Sequence, residues 1–318
     1  MDLLSWTDLA KARSVAHELK AVDVSSPLSL CKLVDAVDFF RPDVIAHLRR
    51  IGQEPRLHNK QWEYALQLEA KQRYAKKGAR IAGLGCGCET TIPLMSQDAE
   101  EFVVTDLYGA RGAWGDAARR PDDLWPELRN LRVVTMDMRK IELPKASFDF
   151  VSSLCAIEHT GFANTVIDVA RQAGELLRPG GVFFLTTEFT FDERAFYAPG
   201  YPSGTLYLSV RELRRLFTET GLHLVEPFDL RISSHPLNMP LWDQINNKSY
   251  PNLPHVLYRN QPLPFWGTYA ATASLVLSRE DHGNDRIIED PEQMQRLRPL
   301  FEMGRRLSRR LTLPTRWW

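Results

Sequence analysis

The chain has 318 residues, of which 40 are basic and 40 acidic, so its formal charge at neutral pH is zero. With 44% hydrophobic and 25% charged residues it has the make-up of a folded globular protein and not of a disordered one. Zero charge excludes a surface that grips nucleic acid throughout by neutralising phosphates.

The amino terminus, Met1-Asp2-Leu3-Leu4-Ser5-Trp6-Thr7-Asp8, carries acids where an export signal would carry Lys or Arg. No run reaches the roughly 20 apolar residues of a membrane span. The four cysteines, Cys31, Cys86, Cys88 and Cys155, fit neither a disulfide framework nor a four-ligand zinc site. A cytoplasmic protein without a metal is the expectation.

In chain order, residues 1–77 read as a helical amino-terminal cap. Apolar residues recur at three- and four-residue spacing, first Leu30, Leu33, Val34 and Val37, later Trp62, Ala65, Leu66 and Leu68. Pro42 and Asp43 mark a helix start and Gly52 a stop. From residue 79 the period changes. Strand-like runs follow at Arg80 to Leu84, Phe102 to Thr105, Leu131 to Val134, Phe148 to Val151 and Val182 to Thr186. The clearest helix among them runs from Val166 to Leu177 and ends before Pro179-Gly180-Gly181.

This alternation predicts an α/β domain over residues 78–280, doubly wound on a mostly parallel sheet. Two substrate-cap insertions interrupt it. One, at 189–208, is rich in aromatics (Phe189, Phe191, Phe196, Tyr197, Tyr201, Tyr207); the other, at 227–264, is rich in proline and carries Trp242, Tyr250 and Tyr258, with Trp266 just beyond. Between them lie a helix from Val210 to Phe217 and a strand near Leu222 to Val225, and a last strand runs from Tyr269 to Leu277. Residues 281–318 read as a basic helical tail. Its end, Arg305 to Trp318, has five arginines, no acid and a terminal Trp pair, which suits a solvated helix end, an acidic partner or the surface of an anionic membrane.

The strongest chemical signal is Gly83-Leu84-Gly85-Cys86-Gly87-Cys88-Glu89, where a strand enters a tight glycine turn ahead of a helix expected near Thr90-Thr91. Glycines let the backbone approach a ligand, and a helix start offers unpaired N–H groups. A dinucleotide fingerprint needs Gly-x-Gly-x-x-Gly, but Cys88 or Thr90 occupies the last glycine position in the two available registers. Asp106 closes the next strand about twenty residues on, where an acid can accept hydrogen bonds from ribose hydroxyls.

With these residues in place the sequence resembles the class I S-adenosylmethionine-dependent methyltransferases from about residue 60 to 279. The glycine loop matches that family's first motif, Asp106 its ribose acid, and Met136-Asp137-Met138 its adenine-contacting segment. Phe148-Asp149-Phe150-Val151 matches its fourth strand and Leu176-Leu177-Arg178-Pro179-Gly180-Gly181 the turn before its fifth.

The resemblance implies a seven-stranded Rossmann-like sheet, S-adenosyl-L-methionine as cofactor, and a cofactor site made by Gly83, Gly85, Cys86, Gly87, Glu89, Asp106, Leu107, Asp137, Met138 and Ser153. Two positions depart from the pattern. Gly83 stands where the family commonly has an acid and Glu89 where it has a later glycine, so Glu89 is a candidate to supply the missing carboxylate. The segment Ser153 to Gly161 borders the transferring methyl in similar enzymes. His159, Glu158 and Glu188 are therefore the candidate catalytic residues, His159 as a base able to take a hydroxyl proton. The helix around Trp62 and Tyr64 is expected to lie across the cofactor.

The function expected from the resemblance is methyl transfer to an oxygen of a small-molecule or glycan acceptor in a biosynthetic pathway. The place after the fourth strand reads Ser153-Leu154-Cys155-Ala156, without the Asn-Pro-Pro-Tyr type of segment that similar nitrogen methyltransferases carry. A nicotinamide-dependent oxidoreductase and a binding or scaffold protein that kept the fold without the chemistry are the alternatives.

Overall fold

The computed structural model describes residues 26–55, 58–109, 119–198, 204–233, 258–260 and 268–293. In chain order the strands are β1 (Lys32–Leu33), β2 (Arg80–Leu84), β3 (Glu101–Asp106), β4 (Leu131–Thr135), β5 (Phe148–Leu154), β6 (Leu177–Thr190), β7 (Phe196–Ala198), β8 (Thr205–Tyr207), β9 (His223–Leu224), β10 (Phe228–Asp229), β11 (Tyr258–Asn260), β12 (Thr268–Ser278) and β13 (Ile287–Ile288). The helices are α1 (Pro42–Arg50), α2 (Asn59–Tyr74), α3 (Ile92–Ser96), α4 (Pro121–Leu124), α5 (Ala163–Glu175) and α6 (Val210–Thr218).

Among the described residues, eleven strands form one sheet in the order β13-β10-β1-β12-β6-β5-β2-β3-β4, with β9 and β11 also paired to β12. Strands β4, β3, β2, β5 and β6 are parallel, and β12 runs antiparallel to β6. The chain winds outward from β2 to β3 and β4, then crosses back to β5 and β6. A doubly wound sheet opens a ligand crevice where the strand order reverses, at the carboxyl ends of the strands. Here that point lies between β2 and β5. The count exceeds seven because two- and three-residue strands gather around β12 and beyond it.

Burial explains the continuous apolar runs of the central strands. Phe148, Phe150, Val151 and Leu154 of β5 and Ile81, Ala82 and Leu84 of β2 are all buried, as expected for a parallel sheet covered on both faces. Helix α5 turns Val166, Ile167, Val169, Ala170 and Ala173 inward. Gly174 follows on that face, where an added Cβ would lie 2.8 Å from Leu222 Cδ2. Helix α6 starts with a capping box: the Ser209 hydroxyl accepts from the Arg211 N–H, and the Glu212 carboxylate accepts from the Ser209 N–H.

The amino-terminal region differs from the helical cap read from its spacing. Lys32 and Leu33 form a strand of the main sheet, with Lys32 opposite Ser274 of β12 and Asp229 of β10. The 3-10 turn Ala36–Phe40 follows. A two-residue strand shows no alternation of its own, and its partners lie some two hundred residues away in the chain. Helices α1 and α2 follow as expected and are joined by Glu69, which pairs with His47 Nε2 at 2.8 Å and with Arg73 Nε at 2.8 Å. Trp62 is fully buried with its indole N–H on Asp38, so its ring packs in the core.

The tail differs too, because Ile287–Ile288 is a strand beside β10. Residues 294–318, including Arg305 to Trp318, lie outside the described residues, as do Tyr201, Trp242, Tyr250 and Trp266. Among the described residues no helix is long and apolar enough to cross a membrane.

Candidate active site

The glycine loop leaves β2 at Leu84, in the crevice. Gly85 has a φ of +69° and Gly87 one of +50°, in the left-handed region that favours glycine. A Cβ at Gly85 would sit 2.6 Å from both Ala156 Cβ and Met138 Cε, so the loop backbone lies against the start of the segment after β5. The loop is also tied to β3. Cys86 N–H donates to the Thr105 carbonyl at 3.0 Å, Gly87 N–H to Asp106 Oδ2 at 2.7 Å, and the Tyr108 hydroxyl to the Gly87 carbonyl at 2.8 Å. Asp106 further accepts from the Leu107 N–H, and the Leu107 side chain is 43% exposed beside it.

Gly83 cannot present a side chain, because its Cβ would overlap Cys86 Sγ and press on the Phe102 ring. Cys86 is buried there, as packing for the loop. The helix expected near Thr90-Thr91 begins at Ile92 and is five residues long. Such a short helix carries little dipole.

Glu89 faces a crowded group. Burial raises its carboxyl to about 8, with Glu63 and Asp106 adding to the rise and Lys60 opposing it. Lys60, at the start of α2, donates to Glu63 Oε2 at 2.8 Å and to the Leu154 carbonyl at 3.2 Å. Burial works against its ammonium, yet the charges of Glu63, Cys155 and Glu89 hold its pKa well above the ordinary lysine range. Glu63 also accepts from the Thr186 hydroxyl at 3.0 Å. Helix α2 thus reaches the crevice through Lys60 and Glu63, two residues that the sequence reading left out. Their signal in the sequence is an ion-pair spacing of three in the first turn of α2. Tyr108 was missed as well.

The segment after β5 brings the predicted catalytic residues together. Cys155 takes a φ of +46° and Ile157–His159 forms a 3-10 turn. His159 Nδ1 lies 3.1 Å from the Gly204 carbonyl, which fixes Nδ1 as the donor and leaves the lone pair on Nε2. Burial lowers the His159 pKa. Glu158 is fully buried; burial raises its carboxyl to about 7, and Oε2 accepts from the Thr187 hydroxyl at 3.4 Å. Glu188, near the end of β6, has a carboxylate oxygen within 4.8 Å of both Cys155 Sγ and a Glu158 oxygen. Ser153 is buried in β5.

The Asp137 carboxylate accepts from Arg139 Nε and from the Arg139 N–H, both at 2.9 Å. Met138 packs against Gly85. The aromatics divide: Phe189, Phe191 and Tyr207 belong to the core, whereas Tyr197 packs at a tilt against the 68% exposed Phe162 with ring centroids 4.9 Å apart.

Residues 82–185 match the family model described as "Methyltransferase domain". No curated protein matches the chain. Among solved structures, the YcgJ protein of Bacillus subtilis is similar at 17% identity over 70% of this chain and 100% of its own, with a TM-score of 0.46. An S-adenosylmethionine-dependent methyltransferase from Mesorhizobium loti is similar at 16% identity over 68% of this chain and 97% of its own, with a TM-score of 0.43. A geranyl diphosphate methyltransferase solved with GPP and sinefungin is similar at 15% identity over 83% of this chain and 94% of its own, with a TM-score of 0.44. The glycine loop, Asp106 and the segment after β5 all fall inside the matched residues.

Proposed function

We propose that the protein is an S-adenosyl-L-methionine-dependent methyltransferase acting on an oxygen of a small-molecule or sugar-containing acceptor. The observation that carries the reading is the Asp106 carboxylate bound to the Gly87 N–H at the reversal point of the sheet. There the chain offers a carboxylate for ribose hydroxyls and a glycine backbone that a ligand can approach closely. The residues present fit the group: a Cβ at Gly87 would meet only Asp106 Oδ2, at 3.7 Å, so the backbone is open there, and Asp106 fixes the loop's shape.

When bound, the cofactor supplies a methyl group on a cationic sulfonium. Asp106, Gly85 and Gly87 would hold it, with Leu107 as an apolar surface beside the ribose acid. The Asp106 carboxylate at the crevice favours a cationic ligand. His159 supports oxygen as the acceptor atom: with Nδ1–H on Gly204 its lone pair lies on Nε2, and burial favours the neutral imidazole that can take a hydroxyl proton. Methyl transfer needs donor and acceptor held in line with water excluded, and no covalent intermediate on the chain.

Calorimetry with S-adenosylhomocysteine and with NAD tests the reading. Micromolar binding of the first without heat from the second is the expected outcome. Binding of NAD alone would replace the proposal with the oxidoreductase alternative.

A further inference from the structure

Beside the cofactor crevice, where β5 and β6 end, three side chains of metal-ligating type converge. Cys155 Sγ, one Glu158 oxygen and one Glu188 oxygen all lie within 4.8 Å of one another. Around one ion, ligand atoms at about 2.0–2.3 Å from the metal stand about 3 to 4.5 Å apart. The present spacing is close to that range without any change of backbone.

A group of acids is not a site on spacing alone. Here a second observation comes from Glu158. It is 0% exposed, yet its Oε1 has no hydrogen-bond partner among the described residues. A buried carboxyl oxygen without a partner has given up its hydration with nothing to offset the loss. The Oγ1 of Thr272, the residue opposite Glu188 across β6 and β12, is buried and likewise lacks a partner among the described residues.

We propose that Cys155, Glu158 and Glu188 form a binding site for a divalent transition-metal ion at the acceptor side of the crevice. One thiolate with two carboxylates suits Zn²⁺, Mn²⁺ or Co²⁺ and not the all-oxygen preference of Mg²⁺ or Ca²⁺. Ion binding releases the Cys155 thiol proton, and any proton on Glu158, to solvent. Three protein ligands leave coordination positions for an acceptor oxygen, a role that rests on the oxygen-methyltransferase reading; the binding of the ion does not.

The test uses the full chain, stripped with a chelator and titrated with Co²⁺, Zn²⁺ and Mg²⁺ by equilibrium dialysis and absorbance. The expected result is one equivalent of Co²⁺ with a sulfur-to-cobalt charge-transfer band, competed by Zn²⁺ and not by Mg²⁺. Cys155→Ser removes the band, and Glu188→Gln weakens Co²⁺ binding by about tenfold or more. Glu188 is less buried than Glu158, so its variant keeps the test open if Glu158→Gln fails to fold. Absence of stoichiometric binding, or binding unchanged in both Cys155→Ser and Glu188→Gln, overturns the proposal. S-adenosylhomocysteine calorimetry on the same preparations separates the two readings: binding of the nucleoside without metal removes only the metal site, and the reverse removes only the methyltransferase.

Discussion

At the scale of single residues, the crevice carries its charge in unusual places. The family pattern puts an acid where this chain has Gly83, and the structure gives the reason it is absent: Cys86 fills the volume a side chain there would need. A carboxylate returns at Glu89, held up near 8 by burial and by Glu63 and Asp106 against the opposing Lys60. That shift has a consequence for stability. Between the ordinary value of 4.5 and about 8 the folded chain holds this proton more tightly than the unfolded one. The associated stability is therefore full below 4.5 and is lost as pH rises through 8. Glu89→Gln cannot ionise, so its stability relative to the unchanged protein should rise across that window and level off above it. Denaturant midpoints at a series of pH values measure this; a difference independent of pH contradicts it.

At the scale of elements, what could be read from the sequence depended on how local the cause was. The capping box at Ser209 and Glu212 and the inward face of α5 are set by residues three or four apart, and they fall where the pattern puts them. Ser209→Ala should cost about 1 kcal/mol of stability through loss of the cap, measured as a shift in the unfolding midpoint without a change of slope. The central strands were legible because burial on both faces leaves continuous apolar runs. β1 was not, since Leu30, Leu33 and Val34 have helical spacing and the strand exists only through distant partners. The same limit hid part of the site. Asp106 and the glycine loop are close in sequence and bear a shared signature. Lys60 and Glu63 reach the crevice only because α2 packs across the ends of β5 and β6, with Gln67 on Ser152 and Glu63 on Thr186.

At the scale of the whole molecule, distant segments of the chain close the sheet. Glu226 accepts from the Ser29 hydroxyl at 2.9 Å and from the Cys31 N–H at 2.8 Å, joining residues nearly two hundred positions apart. Asp35 repeats the device with the Ser233 hydroxyl at 2.7 Å. Glu226→Ala should raise amide exchange in residues 28–34 selectively and lower stability by about 1–3 kcal/mol, with the glycine loop unaffected. Uniform acceleration across the sheet would contradict a local clasp.

The crevice stands on this frame, and its assignment rests on Asp106. Isothermal titration of S-adenosylhomocysteine into the unchanged protein and into Asp106→Ala is the most direct measurement of it. The account predicts one-to-one micromolar binding that weakens by at least about tenfold in the variant, the worth of one hydrogen bond to a charged group. No binding by the unchanged protein, or equal affinity in both, would contradict it.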